Sequence, residues 1–244
     1  MQYAEELEFE TENRRDVYEY VEREGRVDPE RAREALGFDR TAFGHHVAIL
    51  RRDGLVTVDE DGQLCLAFHG GEAEEYTRGD VSFSVRPARQ EDLSGLVGTI
   101  RQVVERGDYI VAETVADLLD REQALFRHGE AESWVFFVAT VDEEVVGWVH
   151  VEHPELEKLA HTAELTLGVL EEHRARGIGS HLLERGIEWA ASEGYEKLYN
   201  SVPATNEGAI AFLEEHGWAV EAVREGHYRI DGEDVDEVML AREV

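Results

Sequence analysis

The sequence has little cysteine and no long apolar run. Cys65 is the only cysteine among 244 residues, which excludes an intramolecular disulfide and a cysteine-based metal cluster. The longest apolar run, Trp134 to Val141, is far too short to span a bilayer, and the acidic start MQYAEELEFE lacks a signal-peptide pattern. Because 42% of the residues are hydrophobic and 9% are aromatic, the chain can still build apolar cores. We therefore expect a soluble, cytoplasmic, folded protein.

Basic residues are also scarce, and lysine most of all. The chain has 24 Lys and Arg against 55 Asp and Glu, with a formal net charge of −31, and Lys158 and Lys197 are its only lysines. Acid spread over every segment is typical of a salt-rich cytosol, such as that of a halophilic archaeon, where salt screens self-repulsion. Since solvation explains the acidic surface equally well, this surface does not by itself indicate cationic partners.

A polar linker at residues 69–80, HGGEAEEYTRGD, predicts a boundary between an N-terminal domain, 1–68, and a C-terminal domain, 81–244. After an acidic lead at residues 1–10, the first domain shows helical spacing over Glu12 to Glu24. Asp28-Pro29 and Asp39 or Thr41 start two further helices, and apolar alternation on either side of Asp61-Gly62 predicts a hairpin.

Three helices and a hairpin resemble a winged helix-turn-helix domain of archaeal and bacterial regulators, on the segment LGFDRTAFGHHVAILRRDGLV, Leu36 to Val56. In that fold the third helix enters the DNA major groove. The resemblance implies phosphate contacts from the acid-free stretch, by Arg40, His45, His46, Arg51 and Arg52. Residues 1–80, however, carry 10 basic and 21 acidic residues, and this excess of negative charge disfavours binding to nucleic acid. A dimerisation or partner-docking role therefore stays the alternative. His45 and His46 are interpreted as solvent-facing rather than as metal ligands.

The C-terminal domain alternates strands and helices. Apolar strands are predicted at Ser82–Arg86, Trp134–Thr140, Val145–Val151 and Ala163–Leu170, and helices at Glu91–Arg106 and Glu113–Arg127. This order predicts an α/β sheet with helices on both faces.

One stretch, VLEEHRARGIGSHLLERGIEW from Val169 to Trp189, suits a pyrophosphate. A strand end turns through Arg174 to Gly179 into an amphipathic helix. The glycines allow backbone amides to point inward, and the helix start adds unpaired N–H donors and the positive end of its dipole. Arg174 and Arg176 would add charge-assisted contacts. The dinucleotide pattern G-x-G-x-x-G fails, because residue 182 is Leu, and no Walker motif follows.

The pattern R-x-x-G-x-G after a strand resembles the acyl-CoA-binding motif of the GNAT N-acetyltransferases. Asn206, Ala209, Phe212 and Gly217-Trp218 match the family pattern N-x-x-A-x-x-L-Y-x-x-x-G-F, and a hairpin around Asp231-Gly232 looks like the family's closing strands. The resemblance covers roughly Val81 to Val244. It implies the GNAT fold, a mixed sheet with helices on both faces, and acetyl-CoA as co-substrate, with no metal.

The resemblance also implies roles for individual residues. The pyrophosphate would lie on the amides of Arg174, Ala175, Arg176, Gly177, Ile178, Gly179 and Ser180. The pantetheine would run beside Leu167 to Val169, where a backbone N–H would hold the thioester carbonyl. Asn206 would reach the cofactor, serve as a helix N-cap, or do both. Glu164 is the candidate general base. Leu213 occupies the family's tyrosine position, so Tyr228 is the candidate general acid.

The function implied is direct transfer of acetyl from acetyl-CoA to a primary amine of a protein or small molecule. No covalent enzyme intermediate is expected, because the C-terminal domain has no cysteine. The alternative is a winged-helix regulator that uses a weakly active GNAT domain as an acyl-CoA sensor, which Leu213 and the DNA-like third helix favour. The acceptor is left open, since the loops at Gly107–Glu113 and Glu152–His161 carry no diagnostic pattern. A homodimer is left open as well.

Overall fold

The computed structural model describes residues 11–53, 55–58, 61–67, 71, 73–79, 81–105, 110–122, 125–128, 133–153 and 156–244. The acidic lead and parts of the linker and of both acceptor loops lie outside the described residues. Within these ranges no helix combines the length and apolarity needed to cross a bilayer.

The N-terminal unit has three helices and a small antiparallel sheet; the helices and the hairpin are as predicted, and the short strand at Arg26–Val27 was not predicted. The helices are α1 (Glu12–Glu24), α2 (Pro29–Ala35) and α3 (Arg40–Arg52). The strands β1 (Arg26–Val27), β2 (Val56–Val58) and β3 (Leu64–Leu66) pair in the order β1-β3-β2. Asp28 and Asp39 act as N-caps: their side chains accept backbone hydrogen bonds of 2.9 Å from the first turns of α2 and α3. The unit has its own apolar core, which includes Val17, Val21, Phe43, Leu50 and Leu64.

The C-terminal unit is built on a nine-stranded sheet. Its strands are β4 (Glu74–Arg78), β5 (Val81–Pro87), β6 (Phe126–His128), β7 (Ser133–Val141), β8 (Glu144–His153), β9 (Thr162–Val169), β10 (Lys197–Pro203), β11 (Ala219–Ile230) and β12 (Glu233–Glu243). They run in the order β11-β12-β10-β9-β8-β7-β5-β4, with β6 beside β7. Every neighbouring pair is antiparallel except β9 and β10, which are parallel, so the sheet is mixed.

Helices cover both faces of this sheet, as the order of elements predicts. On one face, α4 (Leu93–Val104) and α5 (Ile110–Glu122) pack on Trp134, Phe136 and Trp148. On the other, α6 (Ile178–Ser192) and α7 (Glu207–Glu215) pack on Val135, Phe137 and Leu165. Side chains alternate between the faces along each strand, so we name the two sides the α4–α5 face and the α6 face.

Two segments of the C-terminal unit differ from the sequence prediction. β4 lies inside the predicted linker, and it forms because Tyr76 packs against Phe83 and His181. The local sequence pattern does not predict these contacts. β6 occupies the end of the helix predicted over Glu113–Arg127; α5 ends at Glu122 instead, because pairing with β7 satisfies the backbone beyond it.

Candidate active site

The two parallel strands at the centre of the sheet separate partway along their length. β9 and β10 pair at only three positions, and the last pair is Tyr199 with Glu164. Beyond this fork, Thr166 to Val169 and Ser201 to Pro203 line a cavity of about 480 Å³. A gap between two strands exposes the hydrogen-bonding groups that a continuous ladder would have used, so an elongated polar ligand can enter the sheet here.

The backbone of β9 turns its polar groups into this gap at every second residue. Leu170 N donates to Val146 O on the β8 side, so by alternation the polar groups of Leu165, Leu167 and Val169 point away from β8. Two hydrogen bonds agree with this. Leu165 O accepts from the Asn200 side-chain amide, which bridges the fork, and Val169 O accepts from Arg174 Nε at 2.9 Å.

The outer end of the cavity is closed by the turn between β9 and α6. Ala175 and Gly177 have positive φ angles of 57° and 82°, and Arg174, Ala175 and Gly177 line the cavity. A left-handed alanine is strained by about 1 kcal/mol, whereas glycine is not. Alternation of left- and right-handed residues turns successive N–H groups to one side and forms an anion-binding concavity.

The first turn of α6 adds further donors. The helix begins without a side-chain N-cap, and its first intrahelical bond runs from His181 N to Gly177 O at 3.2 Å. The amides of Ile178, Gly179 and Ser180 therefore have no carbonyl partner within the helix, and Gly179 and Ser180 line the cavity. Ser180 Oγ also lies 3.0 Å from His216 Nε2, a contact that the sequence did not suggest.

The opposite wall of the cavity belongs to α7. Asn206, Ala209, Phe212 and Leu213 line it. The Asn206 side chain accepts a hydrogen bond of 3.1 Å from Ala209 N, so its predicted role as N-cap is confirmed. Leu213, at the position of the family tyrosine, is buried and offers no proton.

Most predicted cofactor-binding residues meet at this cavity, which is lined by Leu167, Val169, Arg174, Ala175, Gly177, Gly179, Ser180 and Asn206. Two do not line it with their side chains. Ile178 is 1% exposed in the core beneath α6, so only its amide can serve. Arg176 is exposed and lies outside the lining, so a contact from its side chain to a phosphate oxygen stays a prediction.

The two predicted catalytic residues lie on the α4–α5 face of the sheet, on the other side from α6. Glu164 is exposed and stands at the fork itself. Tyr228 Oη donates to Glu237 Oε1 at 3.0 Å. Glu237 is 4% exposed, and its other oxygen pairs with Arg224 Nη1 at 3.0 Å. Because Glu237 pairs in register with Pro203 of the cavity wall, this cluster adjoins the fork.

The environment of Tyr228 favours the protonated phenol, and its role as proton donor to a thiolate stays a prediction. Burial raises the pKa of Tyr228 well above its ordinary range, and the hydrogen bond to Glu237 and the charge of Glu164 act in the same direction. A phenol that holds its proton so firmly is a weak acid. Its oxygen lone pairs, however, can accept a hydrogen bond from an ammonium group.

Sequence reasoning did not identify Glu237 or Asn200 as site residues. Each is a polar residue whose neighbours two positions away on the same strand face are apolar: Val235 and Met239 for Glu237, and Leu198 and Val202 for Asn200. A polar residue between apolar residues on one strand face is predicted to be buried and to need a hydrogen-bond partner. This pattern could have identified both Glu237 and Asn200 from the sequence.

The residues predicted to contact DNA lie on or beside α3, and their settings differ. Arg40 Nη2 pairs with Glu30 at 2.8 Å, and Arg52 Nη2 pairs with Asp53 at 2.7 Å. His46 is buried, with its ring 5.5 Å from that of Phe38, which corrects its prediction as solvent-facing; burial also lowers its pKa. His45 and Arg51 are exposed. DNA binding stays a prediction.

Comparison with known proteins agrees with this geometry. Residues 103–218 match the model of the acetyltransferase (GNAT) family. The N-alpha-acetyltransferase of Sulfurisphaera tokodaii is 38% identical over 112 residues, which are 41% of this chain and 64% of that protein. The L-methionine sulfoximine/L-methionine sulfone acetyltransferase of Pseudomonas aeruginosa is 27% identical over 142 residues, 57% of this chain and 82% of that protein.

The fold has solved counterparts as well. The structure of yncA from Salmonella typhimurium with its cofactor acetyl-CoA has a TM-score of 0.57 and 18% identity, and covers 66% of this chain and 93% of that one. A likeness at this identity shows the fold. Together with the family match over residues 103–218 and the named relatives, it leads to one conclusion: the C-terminal part of this chain has the GNAT fold, and the protein is an acyltransferase.

Proposed function

We propose that the cavity at the fork binds acetyl-CoA and that the protein transfers its acetyl group to a primary amine held on the α4–α5 face. The observation that carries this proposal is the separation of β9 and β10 directly after Glu164, with the turn and first amides of α6 at the far end of the gap. A thioester arm placed along β9 would bring its reactive end towards Glu164.

The residues present fit such a cofactor. The turn at Ala175 and Gly177 and the amides of Gly179 and Ser180 offer backbone donors for a pyrophosphate. The backbone groups of Leu167 and Val169 would pair with the amides of the pantetheine, as an added strand would. Bound acetyl-CoA would supply an acetyl thioester, whose carbonyl carbon is open to attack by an uncharged amine. The new C–N bond replaces the C–S bond, and CoA leaves as a thiol with the proton that the nitrogen loses.

Residues of the chain would remove the amine proton and stabilise the charge that develops during the reaction. An amine arrives as an ammonium ion without a lone pair, so a base must first remove a proton. Glu164 is placed for this task, since it is exposed at the fork. Tyr228 and Glu237 would orient the ammonium through an oxygen lone pair and a nearby negative charge. A backbone N–H of β9, on the side of the gap nearer Glu164, would stabilise the negative charge that develops on the carbonyl oxygen.

The chemistry of deprotonation favours α-amines over lysine side chains. An α-amino group has a pKa of roughly 7.7–8.0, against about 10.4 for lysine, so it gives up its proton more readily near neutrality. We therefore expect peptides with a free N-terminus and amino acids to be better acceptors than peptides whose only amine is a lysine.

The test is thiol release from acetyl-CoA in multimolar KCl, the condition that the acidic composition predicts, with a panel of α-amines and lysine peptides. Glu164→Gln should lower kcat about 100-fold, at the lower end of the effect of a general base, and should leave acetyl-CoA affinity unchanged. Glu144→Gln removes another exposed carboxylate, at the distant end of β8, and should have no effect. Acetyl-CoA binding without release on any acceptor would favour the sensor; absence of binding would overturn the proposal.

A further inference from the structure

Strand β4 lies along helix α6 and contacts it at three successive turns. Glu74 accepts a hydrogen bond from Arg185 Nη1. The ring of Tyr76 stacks on His181, with centroids 3.7 Å apart. Arg78 lies beside Gly177, the N-cap of the helix: a Cβ atom built on Gly177 would stand 3.6 Å from Arg78 Nε. The strand and the helix therefore run in opposite directions, with Arg78 at the start of α6.

The matching spacing explains this alignment. Alternate residues of a strand point to the same face and repeat every ~6.6 Å, while residues four apart on a helix repeat every ~6 Å. Glu74, Tyr76 and Arg78 thus meet positions 185, 181 and 177 in register. Tyr76 and Glu74 hold the strand in place, and the third contact brings the Arg78 side chain beside Gly177, which lines the cavity.

The charge of Arg78 is left unpaired by the described part of the fold. Its side chain is exposed, and across the described ranges it makes no ion pair, in a chain with 55 acidic residues. By contrast, Arg174, the cationic side chain on the cavity wall, donates to Val169 O. A cation next to a left-handed glycine turn and a helix start adds to the same positive potential.

We propose that Arg78 is a further acetyl-CoA-binding residue, which binds a phosphate group of the cofactor from a strand that precedes the region matched by the family model. The inference rests on the proposed function, because it needs the pyrophosphate end of the cofactor at the start of α6. Arginine suits the task, since its planar fork of donors matches phosphate oxygens bidentately. The strand that follows the N-terminal unit would thereby contact the cofactor.

The test measures binding of CoA and of dephospho-CoA by titration calorimetry in the full-length chain. Arg78→Met should weaken CoA binding about tenfold, equivalent to about 1.4 kcal/mol, and Arg78→Lys should restore part of the loss. Glu75→Gln changes an exposed charge on the other face of the same strand and should leave affinity within twofold. The unfolding temperature without ligand should be unchanged in all three, which separates lost phosphate contact from an undocked strand.

The two ligands identify the phosphate. If the effect of Arg78→Met disappears with dephospho-CoA, Arg78 binds the 3′-phosphate; if it persists, Arg78 binds the pyrophosphate. Wild-type affinity in Arg78→Met, combined with loss of binding in Gly179→Trp, would overturn this inference and leave the proposed function standing. Failure of the wild type to bind CoA would overturn the proposed function itself.

Discussion

Gly179 offers the sharpest test of where the cofactor lies, because one position allows a harmless and a blocking substitution. It is the second residue of α6 and lines the cavity. A Cβ atom built there would stand 3.5 Å from Phe212 Cζ and 3.8 Å from Val169 Cγ2. Both are ordinary van der Waals distances, so one methyl group fits without strain.

We therefore expect Gly179→Ala to fold normally and to gain stability. Alanine in a helix is favoured over glycine by up to about 1 kcal/mol, and less within the first turn. Gly179→Trp should fold as well, because the side chain can extend into the cavity. The indole would then cover the amides at the start of α6.

Loss of two charge-assisted hydrogen bonds, each worth about 1.5–3 kcal/mol, predicts a loss of acetyl-CoA affinity of at least about 100-fold. Calorimetric titration measures the affinity, and thermal unfolding verifies the fold. Gly98→Trp is the matched control, since Gly98 is an exposed helical glycine in α4 with open space around it. Unchanged acetyl-CoA affinity in a folded Gly179→Trp variant would refute the placement of the pyrophosphate.

Three further predictions concern the sheet around the fork. His150 is 1% exposed, and burial lowers its pKa from 6.5 to about 3. As the pH falls between these two values, the unfolded chain binds a proton that the folded chain does not. The free energy of unfolding should therefore decrease as the pH falls, by up to about 1.4 kcal/mol per pH unit. Urea unfolding at several pH values should show that the free energy of unfolding of His150→Phe depends less on pH than that of the wild type. The same pH dependence in both proteins would contradict this prediction. Gly168→Ala would place a Cβ 2.2 Å from the buried Trp148 ring and should destabilise the fold by about 1–3 kcal/mol, measured by thermal unfolding; an unchanged midpoint would count against this packing. Asn200→Ala removes the bridge to Leu165 O and should lower stability by about 1 kcal/mol; a chemical-denaturation curve matching that of the wild type would mean that the bridge contributes nothing.

The sequence by itself determined the elements whose signals are local. Asp28 and Asp39 mark helix starts because a side-chain oxygen satisfies amides two or three residues away, and the structure has both caps. The stretch from Val169 to Trp189 likewise predicts strand, turn and helix, since glycine tolerates the left-handed conformation found at Gly177. Most of the residues predicted to bind the cofactor therefore line one cavity.

Tertiary structure alone decided the features that depend on distant partners. β4 forms inside an acidic segment because Tyr76 packs on Phe83 of the next strand and on His181, which is far along the chain. His46 is buried by Phe38 and by the packing of α3, although its helix position looked exposed. Glu237 becomes a site residue only when β11 and β12 bring Tyr228 and Arg224 to its two oxygens. Caps and turns are encoded within a few residues, whereas partners across a sheet are set by the pairing of strands and the packing of helices over the whole domain.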